Sequence, residues 1–113
     1  MLSFRLDHLL GKELFKNVIV RLISGTELTL NYFELKDKAV EIPLHEHPVE
    51  HLVIVLEGKI EFIMEGQKKV LGEREGLFLP AKTLHSATVI KDPVKALEIY
   101  TSAEDEYYND SPS

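Results

Sequence analysis

The chain has no cysteine, so neither a disulfide framework nor a thiolate ligand or nucleophile enters any account of it. It also lacks a run of lysine and arginine. Its 13 basic residues are scattered among 19 acidic ones and the formal net charge is -6, which leaves no expected role for nucleic acid or an anionic membrane surface as partner. No apolar stretch approaches the length of a membrane span. The opening segment, MLSFRLDHLLGKELFKN, is too broken by charge for a secretory signal, so a cytoplasmic address is expected. No internal repeat is visible. With 113 residues, 44% of them hydrophobic, the expectation is one domain over residues 1–113, built on one core.

What the chain does have is histidine in a particular place. Four of its five histidines fall in two short segments, HEHPVEHLVIVLEG from His45 to Gly58 and PAKTLHSATV around His85. Alternate side chains of an extended strand share a face, so His45, His47 and His51 point the same way if the first segment is extended. Val53 and Val55 continue that parity, and Glu46 and Glu50 fall on the other side. Imidazole nitrogen is a borderline donor suited to zinc, copper, iron and nickel. On the HxH spacing alone, a solvated loop of histidines and glutamates explains the segment equally well. Pro43 and Pro48 bracket His45 and His47, remove two ladder donors and stiffen the approach. The fifth histidine, His8, lies outside both segments and reads as a surface or capping residue.

The rest of the chain is patterned for strands. Residues Ser3 to Leu10 are compatible with a short helix that Gly11 ends, or with an arm that pairs with another subunit. From Asn17 onward, VIVRLIS, a Ser24-Gly25 turn and ELTLNYFEL are rich in β-branched and aromatic residues. Lys36-Asp37-Lys38 makes a polar turn. HLVIVL and KIEFIM read as two strands joined through Glu57-Gly58, with Ile60, Phe62 and Met64 facing a core. Glu65-Gly66 turns into QKKVL, whose lysines mark an exposed edge. SATVI and VKALEIY read as a last pair of strands about a Lys91-Asp92-Pro93 turn. Short strands and glycine-bearing turns at this density argue for a barrel or sandwich. Residues 103–113 are acidic and polar without alternation, and a flexible tail is expected there.

These features together resemble the cupin family, small β-barrels of the double-stranded β-helix or jelly-roll type. The family's first motif has the form G(x5)HxH(x3,4)E(x6)G, and His45-x-His47, three residues, His51, six residues and Gly58 reproduce its second half. Its second motif has the form G(x5)PxG(x2)H(x3)N, and the spacing from Pro80 to His85 matches. The chain departs from both patterns. His51 stands where many cupins have glutamate, Val40 lies near the place of the missing first glycine, Lys82 replaces a glycine, Val89 replaces the asparagine, and Gly76 lies closer to Pro80 than the pattern asks. The matching core covers residues 40 to 100.

The resemblance implies an all-β barrel with one divalent transition metal ion (manganese, iron, zinc, nickel or copper) on His45, His47, His51 and His85. It implies a metalloenzyme acting as Lewis acid or oxygen activator on a small oxygen-rich molecule, a sugar acid or a keto or carboxylate compound. The activities in view are a dioxygenase and a sugar-acid isomerase or lyase. The alternative is a non-catalytic, metal-dependent binder of a small molecule. Glu98 and Tyr100 offer an acid and an aromatic wall, but read more readily as strand-edge residues. Small cupins are commonly dimers, so a homodimer is implied as well.

Overall fold

A computed structural model describes residues 1–101; the tail expected over residues 103–113 lies outside the described residues. The architecture is nearly all strand. The strands are β1 (Leu10–Phe15), β2 (Val18–Ser24), β3 (Leu28–Leu35), β4 (Glu41–His45), β5 (His51–Met64), β6 (Gln67–Leu71), β7 (Gly76–Leu79) and β8 (His85–Thr101). The expected amino-terminal helix is only a 3-10 turn, Leu6–His8, and none of its residues is buried. A helix so short has too few internal hydrogen bonds to persist without packing. The chain pairs instead: β1, with Gly11 inside it, runs antiparallel to β2 from Leu10↔Leu22 to Phe15↔Val18.

Two long strands carry the rest. The amino-terminal half of β5 pairs with the carboxy-terminal half of β8 (Leu52↔Ile99, Val55↔Ala96), and the other halves pair as well (Ile60↔Val89, Met64↔His85). On the first pair of halves, β3 extends one side toward β2 and β1, and β7 lies on the other. The second pair is flanked by β4 on β8 and by β6 on β5. The result is two sheets sharing two bent strands, the jelly-roll barrel expected from the sequence.

Two expected hairpins are therefore corrected. Glu57-Gly58 and Lys91-Asp92-Pro93 are not turns but facing irregularities in continuous strands, and the ladder shifts register between Val55 and Ile60. An added residue in a strand bends it and reverses which parity faces inward. Buried positions accordingly run Val53 and Val55, then Ile60 and Phe62, on β5, and Ala87 and Val89, then Val94 and Ala96, on β8. Gly58, at φ 81°, permits the bend. A Cβ there would collide with the carbonyl oxygens of Pro93 and Lys91, so no other residue fits without moving the partner strand.

The core between the sheets joins Val18, Leu35, Val53, Val55, Leu79, Val94 and Ala96 to Ile60, Phe62, Leu71, Ala87 and Val89. Burying each of the larger side chains is worth about 1.5–3 kcal/mol, and this core holds the sheets together. Val89, at the place where the second motif has asparagine, is one of its members.

Candidate metal centre

The histidines meet at one end of the barrel, where the sheets converge. β4 ends at His45 and β8 begins at His85, and these two residues are direct ladder partners. β5 begins at His51, in the other sheet, opposite Leu79. His47 lies in the loop that carries the chain from β4 to β5. The segment is thus not one extended strand, and a sheet-to-sheet crossing, rather than common parity, gathers its histidines. The Lys82 N–H donates to the His47 carbonyl at 2.7 Å, tying that loop to the turn before His85. Lys82 has φ 59°, the left-handed conformation that a glycine would adopt freely and that costs another residue about 1–2 kcal/mol. The substitution noted in the second motif changes the residue while the turn keeps its shape.

The tautomers follow from the hydrogen bonds. His45 Nδ1 lies 2.7 Å from the Pro43 carbonyl oxygen and His85 Nδ1 2.9 Å from that of Thr83. A carbonyl only accepts, so each Nδ1 carries the proton and each Nε2 presents a lone pair. His45 Nε2 and His47 Nε2 are 3.2 Å apart. Metal–imidazole bonds of about 2.1 Å place neighbouring donors about 3.0–3.4 Å from each other, and this pair has that separation.

Donor atoms of His45, His47 and His85 all lie within 4.8 Å of one another, and those of His47, His51 and Glu98 form a second such group sharing His47. His51 is wholly buried. Its Nδ1 is 3.1 Å from Glu98 Oε2, and its ring is stacked between His47 (centroids 4.0 Å, planes at 17°) and Tyr100 (4.3 Å, 3°). Imidazole lone pairs lie in the ring plane. For His47 and His51 to reach one ion together, one of these nearly parallel rings has to turn. The residues present otherwise fit a transition metal: imidazole donors with fixed tautomers, backed by a carboxylate.

Glu98 is the residue that sequence reasoning placed wrongly. Both it and Tyr100 are buried on β8, a strand flanked by β3 and β5, and not at an edge. Burial pushes the Glu98 carboxyl up, but the hydrogen bond and field of His51, the field of His47 and a hydrogen bond from Asn31 outweigh it and hold the group below the usual range. The Asn31 amide also donates to Tyr100 Oη at 3.1 Å. Parity with Val94 and Ala96 was the available signal for Glu98. Leu97 and Ile99 make the other face of β8 equally apolar, and the signal was lost. Burial, helped by the nearby His45 and His47, holds the His85 imidazole below its ordinary pKa against the Thr83 hydrogen bond, which favours the neutral, ligating form. His8 is exposed, away from this group.

A cavity of about 460 Å³, lined by residues of β1 to β4 together with His45, Glu46 and His47, opens beside the cluster. A smaller one of about 70 Å³ lies within the barrel against His45 and His85.

Comparison with known proteins bears on the family and the fold. The cupin domain model, Cupin_2, matches residues 31–100, a longer stretch than the 40–100 that the motifs alone indicate. A 59-residue segment is 34% identical to the dimethylsulfoniopropionate lyase DddQ of Ruegeria pomeroyi, covering 51% of this chain and 29% of that protein. The chain therefore spans less than a third of the length of this curated relative. Among solved structures, KdgF from Halomonas sp. superposes with a TM-score of 0.81 at 17% identity, covering 93% of this chain and 97% of that one. An RmlC-like cupin from Shewanella frigidimarina gives 0.80 at 20% identity, with 93% of each chain covered. At these identities the two structures speak for the fold alone.

Proposed function

This chain belongs to the cupin domain family, and on that premise we propose that His45, His47, His51 and His85 hold one divalent transition metal at which a small oxygen-bearing molecule is bound and transformed. The observation carrying the reading is the 3.2 Å approach of the His45 and His47 Nε2 atoms, with the Nδ1 atoms of His45 and His85 turned away onto carbonyls. When bound, the ion supplies a Lewis acid that polarises a keto or carboxylate oxygen. The chain's own residues do the rest. Glu98 holds the Nδ1 proton of His51 and leaves Nε2 as the unprotonated nitrogen, Pro43 and Thr83 do the same for His45 and His85, and the apolar walls keep water away. Lyase, isomerase and dioxygenase chemistry all begin from such a site. The relative named as a lyase of a small propionate favours the first.

The test is elemental analysis after reconstitution at neutral pH. The parent is expected to retain about one equivalent of a divalent metal, and His47→Ala and His85→Ala less than about a tenth of that. Full retention by both variants, with unchanged circular dichroism, would defeat the site. His51→Ala then separates a fourth ligand, with metal lost, from a supporting residue, with affinity lowered.

A second reading, a non-catalytic metal-dependent binder, is favoured by one observation. Among the described residues lining the two cavities, Glu46 is the only acid or base outside the proposed ligands. Turnover that survives Glu46→Gln unchanged would leave acid–base work to the histidines; no turnover of any candidate carboxylate by metal-loaded protein would favour the binder.

A further inference from the structure

The two cavities share Phe33, Ile42 and His45 in their walls, so they adjoin, and taken together they make a candidate path from the surface to His85. The chemistry of that path is one-sided. Leu14, Phe15, Val18 and Pro43 line its outer part, and Val53, Ile60 and Phe62 its inner part. Among the described residues, apart from His45, His47 and His85, the sole polar side chain along it is Glu46, near the mouth. Among the described residues lining it there is no lysine, arginine, serine, threonine, asparagine, glutamine or tyrosine.

Each buried hydroxyl of a ligand needs a partner, since one that loses water without gaining a hydrogen bond weakens binding. A sugar acid brings several hydroxyls into a passage that answers almost none of them. A carboxylate likewise meets no cation among the described residues of these walls, so its charge has a partner there only at the histidine cluster. From this lining we infer that the site's ligand carries one compact oxygen head, a carboxylate or keto-carboxylate, on an apolar body the size of a branched aliphatic chain or a single aromatic ring. Of the two classes that the resemblance implies, this favours the keto or carboxylate compound over the sugar acid. The head's position rests on the metal reading above; the body's rests on the cavity alone.

Two probes with the same carboxylate head and different bodies test the inference on metal-reconstituted protein: 4-methylpentanoate and gluconate. Titration calorimetry is expected to give the branched acid about 10-fold or more tighter binding. Ile42→Asn should erase most of that preference while leaving metal content unchanged, and Ile42→Ala, a gentler change on the same strand, should erase part of it. Equal or tighter binding of gluconate would overturn the inference while leaving the metal site standing. Toluene, which has a body and no head, separates the two readings. It should shift the Ile42 methyl and Phe33 ring resonances with or without metal. If the protein takes up no metal on reconstitution and toluene still shifts these resonances, the apolar passage stands and the metal reading falls. If it shifts neither residue, the passage is closed to small apolar molecules and the inference fails.

Discussion

Within one ladder, β3 and β8 present two opposite kinds of interior. At one end Thr29 faces Tyr100 and Asn31 faces Glu98; at the other Phe33 faces Ala96 and Leu35 faces Val94. The backbone pairing is the same throughout, so the difference is carried entirely by side chains. The apolar end stabilises the barrel simply by leaving water. The polar end is tolerable because its groups are tied to one another: Asn31 to Tyr100, Thr29 to Ser24 at 2.8 Å, Glu98 to His51. Buried polar groups are costly unless satisfied, and a connected set of them holds a unique arrangement. The contrast teaches that the histidine cluster sits where the core gives up nonspecific stability for fixed geometry, and that the apolar end carries the fold.

The largest effect should come from moving polar-end chemistry to the apolar end. Val55→Asp places a carboxylate at a wholly buried position with no polar network around it, and is expected to remove about 4 kcal/mol or more, enough to unfold many domains of this size. Chemical denaturation or simple solubility reads this out. A folded, cooperative Val55→Asp protein would mean that the two ends do not differ as described.

A smaller effect is expected from the reverse exchange. Glu98→Leu removes the carboxylate beside His51 Nδ1 and leaves that buried N–H without its acceptor, costing about 1–3 kcal/mol and lowering metal affinity about 10- to 100-fold. Glu98→Gln, which keeps an acceptor, should recover most of the stability and part of the affinity. If leucine bound metal as tightly as the parent, the backing role of Glu98 would be withdrawn.

The smallest effect is acid sensitivity confined to the polar end, measured on metal-free protein by denaturation midpoints across pH. Unfolded His85 titrates near 6.5, and the folded group lies lower. As pH falls below about 6.5 the unfolded chain takes up a proton that the folded one refuses, so stability declines, and the decline levels off once pH passes the folded value. Glu98 acts in a lower window. Its unfolded value is 4.5 and its folded value lies below that, so its contribution is present above 4.5 and lost as pH falls through the folded value. His85→Gln should flatten the upper leg and leave the lower one. A midpoint constant from neutral pH down to 4.5 would contradict the first assignment.

Most strand positions and the pairing of two histidine segments could be read directly from residues, because alternation and turn formers act locally. The two Glu-Gly pairs show where that stops. Glu65 and Gly66 both take positive φ, 52° and 77°, the signature of a two-residue hairpin turn, and there the chain does reverse between β5 and β6. At Glu57-Gly58 only the glycine is left-handed, and the strand bends and continues. The dipeptide is identical, and what differs is whether a partner strand lies opposite with carbonyls that only glycine can approach. The same limit applies at Lys82, where the backbone conformation was that of the absent glycine and the letter concealed it.

By itself the sequence determined the materials: strands from alternation, the donor type from four clustered imidazoles, and the proline-to-histidine spacing that places His85. Only the tertiary structure decided that His47 reaches its neighbours from a loop between two sheets, that Glu98 and Tyr100 are buried behind His51, and that the passage to the cluster is apolar. A strand covered on both faces is apolar on both, so its pattern no longer says which side is inside. Distances between side chains far apart in the chain exist only once the sheets have packed.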